Sequence, residues 1–192
     1  MEAFLTSATL VAIAEIGDKT QLLSFVLAAR LRKPLPIIAG IFVATVVNHA
    51  LAGSVGVWLA KLVEPHWLPW ITGGVFIAFG LWTLHPDSLD DDPKIHKAGA
   101  FVTTTIAFFI AEMGDKTQLA TVALGAQFQS ALFAVVLGTT FGMMLANVPA
   151  VIIGERLAQR LPLKIIRWIA ATLFVLTGIV TIAGSHNPLG GL

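Results

Sequence analysis

The strongest constraint on this chain is a seven-residue stretch that occurs twice: Glu15-Ile16-Gly17-Asp18-Lys19-Thr20-Gln21 and Glu112-Met113-Gly114-Asp115-Lys116-Thr117-Gln118. Each copy puts two carboxylates, a lysine, a hydroxyl and an amide inside an apolar run long enough to cross a bilayer. Ionisable groups at that depth are costly and are normally retained for transport, proton relay or ligand binding. Two such clusters in a small chain make cation handling the leading reading.

Composition agrees. Of 192 residues, 56% are hydrophobic and only 12% charged, with a mean hydropathy of +0.85. A soluble domain would carry about one quarter charged residues, so the bias indicates a membrane protein. The net charge of +1 forms no basic stripe, and no nucleic-acid partner is expected. The absence of cysteine excludes disulfides, thiolate metal sites and thiol catalysis. Glu2 stands where a secretion signal would be basic, so the chain is read as mature from its first residue.

A helix needs about 20 apolar residues to cross a hydrocarbon core of about 30 Å. Six stretches qualify: roughly 3–29, 35–60, 67–84, 98–126, 131–154 and 165–183. The first and fourth carry the motifs. Trp67, Trp70 and Trp82 suit the interfacial belts that flank the third. Pro149 is a candidate kink in the fifth.

The halves are repeats. Phe4, Thr6 and Ala14 align with Phe101, Thr103 and Ala111, and the motifs align with each other, at a shift of 97 residues. Gly56, Leu59, Phe76 and Gly80 align with Gly154, Leu157, Phe174 and Gly178 at a shift of 98. The expected fold is therefore an all-α membrane protein with six transmembrane helices in two inverted three-helix repeats. The odd number of spans per repeat forces the inversion. The repeats are placed at 1–84 and 98–192, joined by an acidic linker at 85–97 that contains Asp87, Asp90, Asp91 and Asp92. Basic residues concentrate in the turns 30–36, 85–97 and 154–164, against Lys61 alone on the other side. The positive-inside rule then puts both termini outside the cytoplasm.

On continuous helices, Glu15 and Asp18 would share a face, as would Glu112 and Asp115. Gln21 and Gln118 would extend those faces, and Lys19 and Lys116 would reach Glu15 and Glu112. Gly17 and Gly114 would admit a close backbone or let the helix loosen and offer carbonyls. If the motif helices cross at mid-membrane, four carboxylates converge with amides and hydroxyls. Such oxygen ligands suit hard divalent cations, chiefly calcium, manganese and magnesium. Acids that take a metal and a proton in turn are the thermodynamic core of antiport. The candidate metal ligands are Glu15, Asp18, Thr20, Gln21, Glu112, Asp115, Thr117 and Gln118. Asn48 and Asn147, on the second and fifth helices, are treated as repeat equivalents and added to the set in preference to His49. Gly138 and Gly142 form a Gly-x-x-x-Gly pair for close helix packing, with Gly40 and Ala44 as its looser counterpart.

Two copies of Glu-x-Gly-Asp-Lys-Thr on the first and fourth of six helices resemble the cation/proton antiporter family formerly grouped as uncharacterised protein family sixteen. The resemblance covers essentially the whole chain. It implies a calcium/manganese transporter, with metal binding at Glu15, Asp18, Glu112 and Asp115. It also implies a compact bacterial form that exports Mn2+, or alternatively Ca2+, across the inner membrane in exchange for protons. The expected partners are the divalent ion, protons and lipid; a homodimer stays open. No cofactor is expected, the metal being substrate. No zinc-protease motif, nucleophile elbow or Walker loop points to an enzyme. The rival readings are an exporter of basic amino acids or other organic cations, a passive divalent cation channel, and a scaffold in which the motif charges merely pin helices together.

Overall fold

A computed structural model describes residues 1–86, 99–153 and 162–184. The acidic run at Asp87, Asp90, Asp91 and Asp92, most of the expected 85–97 linker, and the basic turn around Arg156 and Arg160 lie outside the described residues.

Those residues are helical, and no strand occurs among them. The elements are α1 (Glu2–Glu15), α2 (Lys19–Leu31), α3 (Pro34–Leu62), α4 (Leu68–Thr83), α5 (Ala100–Glu112), α6 (Lys116–Gln127), α7 (Leu132–Ile153) and α8 (Leu163–Gly184). A short 3-10 helix, Gln129–Ala131, joins α6 to α7. Three helical segments are long and apolar enough to cross a membrane: Pro34–Leu62, Gln129–Ile153 and Leu163–Gly184. The expected third span is the shorter apolar helix α4, 16 residues long.

One expectation is corrected here. The stretches 3–29 and 98–126 are not continuous helices. Each is two half-helices separated by three residues, with the break inside the motif. At 1.5 Å per residue the 14 residues of α1 reach only about 21 Å, so it would need α2 to complete a crossing.

Packing interleaves the repeats. α1 lies chiefly against α7, α5 and α6 against α3, α2 against α7, and α4 against α8. Each broken helix therefore rests on the long helix of the other half. The seam between α4 and α8 holds the repeat-equivalent Phe76 and Phe174, with ring centroids 6.3 Å apart. Gly138 and Gly142 do serve close packing: a Cβ on Gly138 would stand 2.5 Å from the Phe4 carbonyl oxygen, and one on Gly142 2.6 Å from that of Ala8. No side chain larger than hydrogen fits there without moving α1 away from α7.

Polarity runs opposite to that of a soluble bundle. Leu5, Phe42, Trp58, Leu81, Phe133, Phe141, Leu145 and Val180 are exposed, while Glu15, Asp18, Gln21, Asn48, His49, Glu112, Asp115, Lys116 and Asn147 are buried. Water would penalise that distribution, whereas lipid around the bundle favours it. Trp67 and Trp70 at the start of α4, and Trp82 at its end, are exposed, as interfacial anchors would be.

Candidate functional site

Both motifs fold in one way. α1 ends at Glu15, and Ile16 turns extended (φ −69°, ψ 111°). Gly17 adopts φ +85°, and Asp18 opens α2 (φ −84°, ψ 169°). In the second copy Met113 is extended, Gly114 has φ +77°, and Asp115 opens α6 (φ −78°, ψ 166°). A positive φ costs an L-residue about 1–2 kcal/mol, which explains glycine at the third motif position. The Asp18 N–H bonds the Glu15 carbonyl at 3.1 Å, as the Asp115 N–H bonds that of Glu112.

The glutamines brace the breaks. Gln21 Oε1 accepts from the Gly17 N–H at 2.8 Å, and Gln118 Oε1 from the Gly114 N–H at 2.7 Å. Each glutamine reaches back one residue past the N-cap, where a capping box would return to the N-cap N–H itself. Neither Asp18 nor Asp115 caps its helix through its side chain. Gln21 also donates through Nε2 to the Ala146 carbonyl at 3.0 Å. The amide oxygens predicted as metal ligands are thus engaged in holding the loop.

The aspartates reach across to the other repeat. Lys19 Nζ lies 3.5 Å from Asp115 Oδ1, and Lys116 Nζ lies 3.8 Å from Asp18 Oδ1. Both aspartates and Lys116 are buried, while the Lys19 side chain is 27% exposed. Lys116 also donates to the His85 carbonyl at 3.2 Å and stands 5.9 Å above the Trp82 ring. The lysines therefore pair between repeats, not with the glutamate of their own motif.

The two glutamates differ. Glu15 Oε2 accepts from Thr20 at 2.5 Å, and Glu15 Oε1 accepts from Thr117 of the other repeat. Both motif threonines thus serve one glutamate. Glu112 is equally buried, yet neither of its oxygens has a hydrogen-bond partner among the described residues. His49 Nε2 lies 3.6 Å from Glu112 Oε1. Glu15 lies within electrostatic range of Glu112 and Asp115, so the acids share one buried region. The expected cage of converging carboxylates is nevertheless not assembled: among the described residues, no three His, Cys, Asp or Glu side chains form a group that could hold a metal ion.

The asparagines flank this region without touching a motif acid in the hydrogen bonds seen. Asn48 Nδ2 donates to the Phe109 carbonyl at 3.2 Å, binding α3 to α5 near its end. Asn147 Oδ1 accepts from Ser24 at 2.7 Å, and its Nδ2 donates to the Met143 carbonyl at 3.1 Å. His49, set aside in favour of Asn48 on sequence, lies 3.6 Å from a motif carboxylate, while Asn48 bonds the Phe109 carbonyl. A signal for it was present. The shift of 98 that pairs Gly40 with Gly138 pairs His49, not Asn48, with Asn147.

A narrow pocket of about 10 Å³, partly open to solvent, reaches the first motif. Ile16, Gly17, Asp18, Lys116 and Thr117 line it. At its rim stand His85 and Arg167, next to the turns that carry most of the basic residues.

Comparison with known proteins places these observations. The family model described as "Divalent cation/proton antiporter GDT1" matches twice, over residues 3–91 and 100–188. The chain is 52% identical over 181 residues to the "Putative manganese exporter" of Vibrio cholerae serotype O1, covering 94% of this chain and 90% of the relative. It is 27% identical to GDT1-like protein 5 of Arabidopsis thaliana, covering 93% of this chain and 94% of the relative. It is also 27% identical to GDT1-like protein sll0615 of Synechocystis, covering 94% and 97%. No solved structure matches the chain.

Proposed function

The chain belongs to the GDT1 family of divalent cation/proton antiporters, a family of transporters and not of enzymes, and on that premise we propose that it exports Mn2+ from a bacterial cytoplasm in exchange for protons. The observation that carries the reading is the reciprocal contact of Lys19 with Asp115 and Lys116 with Asp18. Two buried acids each face a lysine from the opposite repeat, and an arriving metal ion can replace that cation. The lysines offset the charge of the two aspartates in the empty site, and metal or protons take over as they withdraw. Glu15, Asp18, Glu112 and Asp115 are the groups that alternate between metal and proton. Thr20 and Thr117 position Glu15, while Gln21 and Gln118 hold the helix breaks. Asn48 and Asn147 anchor the long helices beside them.

In this reading the chain crosses the inner membrane six times, with α1–α2 and α5–α6 each counting as one broken span. The double family match supports a division into repeats at 1–84 and 98–192, joined by the linker at 85–97. Broken helices whose ends meet near mid-membrane are a recurrent transporter device: orphaned carbonyls at one end and N–H groups at the other serve the ion. Inverted repeats rocking against each other would carry the site from one face to the other. The basic turns put both termini outside the cytoplasm, and the pocket rimmed by His85 and Arg167 then opens inward. A terminal reporter that reads as cytoplasmic would overturn that orientation.

Manganese as the cargo is supported by the name of the Vibrio cholerae relative and by the oxygen-rich motifs. The deciding experiment is flux into proteoliposomes of Mn2+, Ca2+ and Mg2+ under an imposed pH gradient, with Glu15→Gln as control. Manganese movement that is driven by the gradient and lost in the variant is expected. Flux indifferent to the gradient would indicate a channel, and undiminished flux in Glu15→Gln would remove the motif from the mechanism.

A further inference from the structure

We propose that His49 supplies a nitrogen ligand to the transported ion and makes the site prefer a first-row transition-metal ion over Ca2+ and Mg2+. The inference rests on the metal-transport reading above and adds to it the donor that sets selectivity.

Four buried polar atoms carry the argument. Both ring nitrogens of His49 and both carboxylate oxygens of Glu112 lack a hydrogen-bond partner among the described residues, and both side chains are essentially inaccessible. Buried polar atoms are nearly always satisfied, and leaving several together unsatisfied is costly, so such a cluster implies an absent partner. The nearest approach, Nε2 to Oε1, is 3.6 Å. That is too long for a hydrogen bond. It is slightly longer than the roughly 3–3.5 Å between adjacent ligands of one metal with bonds of about 2.1 Å, so a small approach of the two side chains would let both bind one ion.

The rest of the site shows why this corner differs. Glu15 is satisfied by Thr20 and Thr117, and Asp18 and Asp115 each face a lysine. Both oxygens of Glu112 lack a hydrogen-bond partner among the described residues, and the His49 imidazole stands 3.6 Å from one of them. At the register position equivalent to His49 the second repeat carries Asn147, whose amide is already committed to Ser24 and Met143. The repeats are therefore unequal at this position, with a free nitrogen donor on one side only. Ca2+ and Mg2+ take oxygen ligands almost exclusively. Transition-metal ions accept imidazole, so one nitrogen in a set of oxygens separates the two classes without excluding Mn2+.

Pulsed electron paramagnetic resonance of Mn2+ bound to the purified full chain reads the ligand directly. The wild type should show nitrogen-14 modulation from a coordinated imidazole, and His49→Asn should bind Mn2+ without it. In His49→Asn the Kd for Mn2+ should rise about tenfold, with the Kd for Ca2+ changing by less than about twofold. If His49→Asn fails to fold, His49→Gln serves the same purpose, and the wild-type spectrum needs no variant. Bound Mn2+ without nitrogen modulation in the wild type, or modulation that persists in the variant, overturns the inference while leaving the transport reading in place. Equal loss of Mn2+ and Ca2+ affinity assigns His49 to packing and also overturns it. No Mn2+ binding by the wild type would sink both readings together.

Discussion

Lys116 of the second motif stands 3.8 Å from Asp18 of the first, and Lys19 of the first stands 3.5 Å from Asp115 of the second. The motifs are thus two halves of one electrostatic unit, each incomplete without the other. On the proposed function, a metal ion entering this unit separates a lysine from an aspartate.

That exchange predicts the behaviour of Lys116→Met. Removing one member of a buried pair strands the other charge, at a cost of about 3–5 kcal/mol. The variant should unfold at lower temperature than the wild type in metal-free detergent, and Mn2+ should restore it by more than it stabilises the wild type. Lys19→Met should cost less, since Lys19 is 27% exposed and water can reach its end of the pair. Thermal unfolding of both variants with and without Mn2+ decides this. A smaller metal-induced rise in Lys116→Met than in the wild type would refute the exchange of lysine for metal.

The helix breaks predict a graded effect of alanine. Gly17 and Gly114 both have positive φ, so Gly→Ala at either should cost about 1–2 kcal/mol in backbone strain. At Gly17 the added Cβ would also stand 2.9 Å from Leu163 Cδ2, whereas at Gly114 nothing lies within 4 Å. Gly17→Ala should therefore be the more damaging in chemical unfolding. Equal losses would mean that α8 does not press on the first motif.

Close packing of α1 on α7 yields a third expectation. Gly142→Ala places a methyl group 2.6 Å from the Ala8 carbonyl oxygen, and such overpacking costs about 1–3 kcal/mol. Gly74→Ala on α4 meets nothing within 4 Å and should be neutral or stabilising by up to about 1 kcal/mol. A matched pair of melting curves tests both; a harmless Gly142→Ala would mean that the two helices are not in contact.

How much of this was legible in the sequence depends on whether a feature is local or relational. The repeat, the motif acids and the Gly-x-x-x-Gly contact could be read because burial and spacing act on short stretches. The helix break could not be decided, since Gly17 and Gly114 permit a positive φ without requiring one and the apolar runs are long enough for a continuous helix. Cross-repeat pairing was hidden for a different reason. Lys19 is four residues from Glu15, and helical spacing favours that partner until the break turns the lysine toward Asp115. His49 is hard to single out because its neighbour Asn48 shares its residue type with Asn147, and only packing of α3 on α5 brings His49 to Glu112.

The hydrogen bond from Thr117 to Glu15 joins the repeats at the point where they would have to separate. Thr20 binds the same carboxylate from within its own motif, so it moves with Glu15 and opposes nothing. Thr117→Val should therefore shift the chain away from the conformation described here, while Thr20→Val should not. Leaving one side of a buried hydrogen bond without its partner costs about 1–3 kcal/mol, enough to change the balance of two states by about fivefold or more. Because the chain has no cysteine, a single Ile16→Cys substitution gives an unambiguous probe in the pocket beside the first motif. Its rate of labelling by a soluble thiol reagent should fall about tenfold when Thr117→Val is added, and should stay near its original value with Thr20→Val. Equal rates in all three backgrounds would show that the Thr117 contact does not hold the repeats together.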